Sequence, residues 1–171
     1  MYGLVNKAVM DLAMACGGEA CWNAIRLRAK LCNEDFIATK NYSDSITYDL
    51  VKAASEVLEQ PAEQILEAFG RHWILYTGRQ GWGALFEASG NDLRTFIESL
   101  DALHVRVQFT MPEMQMPEFD VYDGEGGSLV VEYRSTREGL APMVRGLLLG
   151  LAEHFDERWT IAQVGFRSEQ G

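Results

Sequence analysis

The stretch VEYRSTREGL, residues 131–140, places a phenol, a hydroxyl and a guanidinium on alternate positions of a predicted strand. Because successive side chains of a strand point to opposite faces, we expect Tyr133, Ser135 and Arg137 to project the same way, each about 6.6 Å from the next. Such a row of donors can hold two anionic groups at once. The common alternative is a surface strand whose Arg137 pairs with an acidic side chain.

The sequence on either side of this row changes from helical to strand patterning. FDVY (119–122) and SLVVEYRS (128–135) flank DGEGG, which predicts an antiparallel hairpin. The following LAPMVRGLLLGLAEHF (140–155) is apolar around most of its circumference, which predicts a buried helix. Its Gly146 and Gly150 permit close approach of a neighbouring element.

The chain before the hairpin has helical patterning. Apolar residues repeat at helical spacing from 4 to 12, Gly17-Gly18 ends the repeat, and Trp22 begins a second short helix. Asp44 is expected to cap the next helix. Pro61 is expected in the first turn of the one after it.

Two further segments complete the predicted order of elements. GRQGWG (78–83) is expected to break the helical pattern, and RWTIAQVGF (158–166) is expected to return to strand. The fold class is therefore predicted to be α+β, with a helical N-terminal part followed by an antiparallel sheet and a buried helix.

His104 is the one candidate metal ligand that the helical part supplies. NDLRTFIESLDALHVRVQF (91–109) predicts one helix, capped by Asn91 or Asp92, and His104 lies within its apolar stripe. A lone His there is most often a core residue with a satisfied hydrogen bond. The alternative is iron in haem, which needs only one protein ligand and is therefore compatible with a solitary imidazole.

Composition excludes several classes of function. The 171 residues, predicted to form one domain, carry a net charge of −10, which opposes binding to nucleic acid or to an anionic membrane. The N-terminal stretch resembles neither a signal peptide nor a membrane span, so we expect a cytoplasmic protein. Cys16, Cys21 and Cys32 are interpreted as free thiols, with a disulfide or a metal site as the alternative.

Enzyme motifs are missing from the sequence. There is no G-x-S-x-G elbow, no P-loop and no G-x-G-x-x-G after a predicted strand, which disfavours a hydrolase or an oxidoreductase. Haem is favoured by a combination of features, since an apolar pocket with one imidazole can hold the porphyrin while an Arg clamp binds its two carboxylates.

Four segments resemble one family closely: MYGLVN (1–6), TYDLVKAASEVL (47–58), LDALH (100–104) and YRSTREGL (133–140). They are similar to H-NOX domains, the haem nitric oxide/oxygen binding family that includes the sensor domain of the soluble guanylate cyclase β subunit. The resemblance extends from Met1 to about Phe166. It implies an H-NOX fold that encloses haem b with ferrous iron.

The resemblance also implies roles for individual residues. His104 corresponds to the proximal ligand of the iron, and Tyr133, Ser135 and Arg137 to the clamp for the propionates. Pro117 matches a proline that the family presses against the porphyrin. The distal wall would be formed by residues of three segments, namely Met143, Trp73, Leu4 and Val5.

The sequence departs from the family pattern in two places. Oxygen-binding members carry a distal Tyr nine residues after the motif Tyr, where this chain has Pro142, which offers no hydrogen to bound oxygen. The nearest remaining donor is the indole N–H of Trp73. The family also continues into another strand beyond Gly171, so that either the sheet lacks a strand or the chain has been shortened.

The function implied is a haem-based sensor of nitric oxide and carbon monoxide that discriminates against oxygen. It would signal by releasing His104 and shifting shape against a separate partner, such as a histidine kinase or a cyclic-dinucleotide enzyme. The alternative is a module that binds haem or scavenges gas without signalling. Neither hypothesis makes the chain an enzyme.

Overall fold

The computed structural model describes residues 1–31, 35–163 and 165, without the side chains of 77–82. Seven α-helices and one hairpin follow each other in the described chain. The elements are α1 (Gly3–Arg28), α2 (Asp44–Leu58), α3 (Ala62–His72), a π-helix (Trp73–Thr77), α4 (Gly78–Glu87), α5 (Leu93–Glu98), α6 (Leu100–Thr110), β1 (Glu118–Asp123), β2 (Leu129–Arg134) and α7 (Ala141–His154). The predicted α+β class is confirmed as a mostly helical fold with a small antiparallel sheet.

The N-terminal helices follow the sequence pattern closely. α1 is kinked at Gly17 and Gly18, where Gly18 has φ of 66°, so the predicted stop is a bend between two helical segments. The cap of α2 is Ser43, whose hydroxyl accepts from the Ser45 N–H, and Asp44 is the first helical residue. Asp44 was therefore wrongly predicted as the cap, and its carboxylate is used elsewhere.

The Gly-rich segment 78–83 and the apolar segment 91–109 have structures that differ from those predicted. Residues 78–83 do not break the helix, because the π-helix leads directly into α4. The predicted long helix is divided into α5 and α6 at Ser99, whose hydroxyl donates to the Ser89 carbonyl oxygen at 2.6 Å. Asp92 caps α5 by accepting from the Thr95 N–H at 2.8 Å.

The sheet consists of the predicted hairpin. Residues of β1 and β2 pair antiparallel across the DGEGG turn, and Phe119 lies opposite Tyr133. The strand predicted at 158–166 is wrong for residues 158–163 and 165, which form no strand. The remaining positions of that segment lie outside the described residues.

The buried face of α7 packs along α3 at very short distance. A Cβ on Gly146 would lie 2.0 Å from the Glu67 carbonyl oxygen, and a Cβ on Gly70 would lie 2.1 Å from that of Met143. The predicted role of Gly146 is confirmed, and Gly150, against Ile74 at 3.0 Å, has the same role. Only glycines at these positions allow the two helix backbones to touch.

Two apolar clusters make up the core. One joins α1, α2 and α3, and the other joins the π-helix, α4 to α7 and the hairpin. Trp73 packs against both clusters, so the π-helix lies at their junction. None of the helices in the described chain has the length and apolarity needed to cross a bilayer.

Candidate functional site

A cavity of about 260 Å³ lies between the two core clusters. Its volume lies just below the range of about 300–1,000 Å³ that is typical of pockets for small ligands. Most of its wall is apolar and comes from both clusters, including Val51, Leu66, Phe69, Ile74, Phe86, Phe96, Leu103 and Leu151. Polar side chains enter this wall at a few places, and these include the residues predicted from the sequence.

The structure brings most of the predicted site residues together in this one cavity. Those that line it are His104, Tyr133, Ser135, Arg137, Pro117, Met143, Trp73 and Val5. Leu4 does not line the cavity, because neighbouring positions on a helix point about 100° apart and Val5 occupies the inner face. The predicted distal wall thus includes the start of α1 only through Val5.

His104 lies on the cavity wall, and its buried Nδ1 has no hydrogen-bond partner among the described residues. Its Nδ1 makes no hydrogen bond of normal geometry, although the Pro117 backbone is close. Burial lowers the pKa of His104, against the opposing influence of Asp101 and the Pro117 backbone. A neutral imidazole is the form that binds a metal ion.

Phe119 and Tyr133 connect His104 to the hairpin. The rings of His104 and Phe119 are 6.1 Å apart, and those of Phe119 and Tyr133 are 5.4 Å apart. Since Phe119 and Tyr133 are opposite each other in the ladder, the hairpin register sets this row of three rings. Phe119 was not predicted as a site residue, although its position in a predicted hairpin strand is a signal for it.

The clamp residues are close together, but they do not share a strand as predicted. β2 ends at Arg134, and beyond it the Ser135 hydroxyl accepts from the Arg137 backbone N–H at 3.1 Å. The chain turns there because this local hydrogen bond replaces ladder pairing. The turn still directs Ser135 and Arg137 into the cavity that Tyr133 lines.

Arg137 is paired with protein groups that the sequence did not reveal. Its Nε donates to Asp44 Oδ2 at 2.7 Å, and its Nη1 donates to the Gln115 carbonyl oxygen at 2.9 Å. Burial of Asp44 opposes ionisation, but hydrogen bonds from Arg137 and the Met1 amino group outweigh it and lower the pKa of the carboxyl. Both interpretations of Arg137 are therefore correct in part. Arg137 pairs with an acidic side chain, and it also lines the cavity.

The residues present fit haem. The cavity is apolar, His104 offers a buried unpartnered nitrogen, and Arg137 retains further N–H donors beyond the two described, out of five on a guanidinium. His104 would hold the iron, and Tyr133, Ser135 and Arg137 would face the carboxylates. Cys16 and Cys21 are free thiols outside this site, and Cys32 lies outside the described residues.

Comparisons with known proteins agree with this reading. Residues 2–163 match the family model described as Haem-NO-binding. Soluble guanylate cyclase gcy-35 of Caenorhabditis elegans is 30% identical over 174 residues, which cover 99% of this chain and 25% of that protein. The chain thus spans about a quarter of the length of this relative.

Solved structures give the same fold. An H-NOX protein from S. oneidensis in the Fe(II)NO ligation state has a TM-score of 0.85 at 20% identity, covering 96% of this chain and 91% of that one. An oxygen-binding H-NOX domain related to soluble guanylate cyclases has a TM-score of 0.79 at 17% identity, covering 99% and 89%. With its fold, its cavity and the family match over most of its length, the chain belongs to the Haem-NO-binding family and has the H-NOX fold.

Proposed function

We propose that this chain holds ferrous haem b through His104 and senses nitric oxide and carbon monoxide while discriminating against oxygen. The observation that carries the proposal is the unpartnered buried nitrogen of His104 at the wall of an apolar cavity. Bound haem would supply an iron atom that takes a diatomic gas on the face opposite the imidazole. Tyr133, Ser135 and Arg137 would orient the porphyrin through its carboxylates.

The apolar lining along α7 supports discrimination against oxygen. Oxygen on iron is held best by a hydrogen-bond donor, whereas nitric oxide and carbon monoxide depend much less on one. The lining residues at and along α7 carry no N–H or O–H group in their side chains: Leu140, Met143, Val144, Leu147, Leu148 and Leu151. Pro142 lies in the first turn of α7, outside the lining, and adds no donor either.

His104 also supplies the proposed signal. With haem bound, His104 would hold the iron, and nitric oxide would loosen this hold so that His104 is released. α6 would then relax against Pro117 and Phe119, both of which contact or approach the imidazole. This movement would shift the N-terminal helices relative to the hairpin.

A separate signalling protein would read this shift in the cytoplasm. A histidine kinase or a cyclic-dinucleotide enzyme is the kind of partner we propose. Neither nucleic acid nor a membrane is proposed as a partner, because the net charge of −10 opposes both.

The visible spectrum of the haem-loaded, reduced protein tests the proposal. We expect nitric oxide to cause release of His104, giving the spectrum of haem that has lost its imidazole ligand, and we expect no stable new spectrum in air. Trp73→Phe is the matched control, because it removes the remaining indole donor of the lining and should leave the response to air unchanged. A protein that stays colourless with haem, or one that gives a stable spectrum in air, would contradict the proposal.

A further inference from the structure

A buried polar pair joins α1 to α2 beside the cavity. The Thr47 hydroxyl donates to Asn6 Oδ1 at 2.6 Å, and the two residues are 4% and 0% exposed. Their surroundings are largely apolar core, with Val9, Leu50 and Val51 nearby along the two helices. Thr47 itself lines the cavity.

The pair is not satisfied within the protein. Asn6 Nδ2 is buried and has no hydrogen-bond partner among the described residues. Buried amide N–H groups are almost always hydrogen-bonded, since leaving one unpaired keeps its full desolvation cost. The exception at Asn6 therefore indicates that the Asn6–Thr47 pair takes another arrangement when a ligand is present.

A hydrogen-bond acceptor in the cavity would allow the Asn6–Thr47 pair to make a second hydrogen bond. The Thr47 hydroxyl has one hydrogen, and it is now donated to Asn6. If the Asn6 amide turns over, its Nδ2 donates to Thr47 Oγ1, and the hydroxyl hydrogen becomes available to a group in the cavity. The pair would then make two hydrogen bonds where it now makes one.

The position of Thr47 on α2 indicates what that acceptor is. Thr47 follows Asp44 by one turn, about 4.5 Å along the helix axis, and Asp44 binds Arg137. Val51, one turn further on, lines the apolar interior. Thr47 therefore lies between the cationic end of the cavity and its apolar part, where a carboxylate attached to an apolar ring system would end.

We infer that Thr47 is a further ligand-binding residue that donates to a porphyrin carboxylate, with Asn6 as the positioning residue behind it. This inference rests on the proposed haem function and extends its clamp beyond Tyr133, Ser135 and Arg137. A hydroxyl donor recognises a carboxylate more strongly than an ester, because a hydrogen bond to a charged acceptor is about twice as strong.

Two porphyrins separate this role from a purely structural one. The apo-protein is titrated with haem and with the iron porphyrin dimethyl ester, in which both carboxylates are methylated, and the two dissociation constants are compared. We expect Thr47→Val to weaken haem binding roughly tenfold while changing ester binding less than about threefold. Thr47→Ser, which keeps the hydroxyl, should retain the preference of the parent protein.

The role of Asn6 is tested by the ratio of the dissociation constants for the dimethyl ester and for haem. Asn6→Leu removes the donor behind Thr47 and should reduce the preference for haem over the ester by about threefold. If Thr47→Val does not fold, Thr47→Cys replaces it, because the thiol keeps one γ atom at the site and is only a weak donor.

The outcomes are distinct from those that test haem binding itself. Parent protein that binds neither porphyrin contradicts the proposed function, and the inference falls with it. If the parent binds haem through His104, but Thr47→Val weakens both porphyrins equally or neither, then only the inference at Thr47 is overturned.

Discussion

At the scale of single residues, the cavity is marked by buried polar atoms that the protein does not satisfy. His104 Nδ1 and Asn6 Nδ2 are the buried side-chain atoms without a partner in the described part of the chain. His104 lines the cavity, and Asn6 lies behind the lining residue Thr47, whose hydroxyl donates to Asn6 Oδ1. Because native proteins rarely leave such atoms unpaired, His104 points to a ligand in the cavity directly, and Asn6 points to one only through Thr47.

The first prediction concerns His104. We expect His104→Gly to lose the axial ligand of haem, and millimolar imidazole to restore the parent spectrum, because the vacated space at the cavity wall admits the free ring. Visible spectra with and without imidazole measure the effect. His72→Gln is the control, since His72 stacks on Tyr76 with ring centroids 4.8 Å apart and does not line the cavity.

Unchanged axial ligation in His104→Gly would assign the proximal role to another group. A change of the haem spectrum in His72→Gln would show that the readout responds to a histidine outside the cavity. Either result would remove His104 from the proposed function.

At the scale of elements, the contact between α3 and α7 determines how closely the helical part and the hairpin part approach. Gly70 and Gly146 lie at this contact, each with a backbone carbonyl where a Cβ would be. α3 leads into the π-helix, whose Trp73 and Ile74 line the cavity. The spacing of two helices therefore sets one wall of the site.

The second prediction tests this contact. We expect Gly146→Ala to lower the free energy of unfolding by about 2–3 kcal/mol, because overpacking against backbone can be relieved only by separating the helices. Thermal or denaturant unfolding of the apo-protein measures the change. Gly83→Ala in α4 is the matched control, since its Cβ would meet nothing within 4 Å.

The control, Gly83→Ala, should raise the free energy of unfolding, whereas Gly146→Ala should lower it. Replacing glycine by alanine inside an unobstructed helix stabilises it by about 0.5–1 kcal/mol. Equal effects of the two substitutions would mean that the close approach of α3 and α7 does not limit stability.

At the scale of the whole molecule, Arg137 joins segments that are far apart in the sequence. It binds Asp44 at the start of α2 and the Gln115 carbonyl oxygen between α6 and β1. Its own position follows β2. The ion pair therefore ties the helical N-terminal part to the hairpin part at one end of the cavity.

The third prediction concerns this tie. We expect Arg137→Ala to lower the free energy of unfolding of the apo-protein by about 1–3 kcal/mol at pH 7, between the values typical of exposed and buried pairs, because the partners are 17% and 36% exposed. It should also speed haem loss to a competing apo-protein. Arg134→Ala is the control, as Arg134 pairs with exposed acidic groups of the hairpin.

The pH dependence of the Arg137 effect follows from the lowered pKa of Asp44. A carboxyl whose pKa is lower in the folded state contributes stability above its unfolded value of about 3.9, and that contribution is lost as the pH falls through the folded pKa. The difference in the free energy of unfolding between Arg137→Ala and the parent protein should therefore become smaller below about pH 4. A difference that stays constant down to acid unfolding would exclude the Asp44 pair as its source.

Structural features that depend on local patterns could be predicted from the sequence. The helical N-terminal part, the hairpin, the interruption at Gly17-Gly18 and the close approach at Gly146 follow from periodicity and residue type. The predicted cavity residues at 133, 135 and 137 also come together. These features involve neighbours within a few positions, whose effects the sequence displays directly.

Structural features that depend on distant partners could not be predicted from the sequence and became visible in the tertiary structure. Ser99 ends a helix because the Ser89 carbonyl is within reach, and residues 78–83 stay helical as the π-helix passes into α4 between the two apolar clusters. Asp44 lies in the clamp rather than at a cap, and Asn6 meets Thr47, because α1 and α2 pack together and the chain after β2 reaches them. These contacts join residues that are 10 positions apart for Ser99 and Ser89 and 41 apart for Asn6 and Thr47, and local sequence patterns carry no information about such packing.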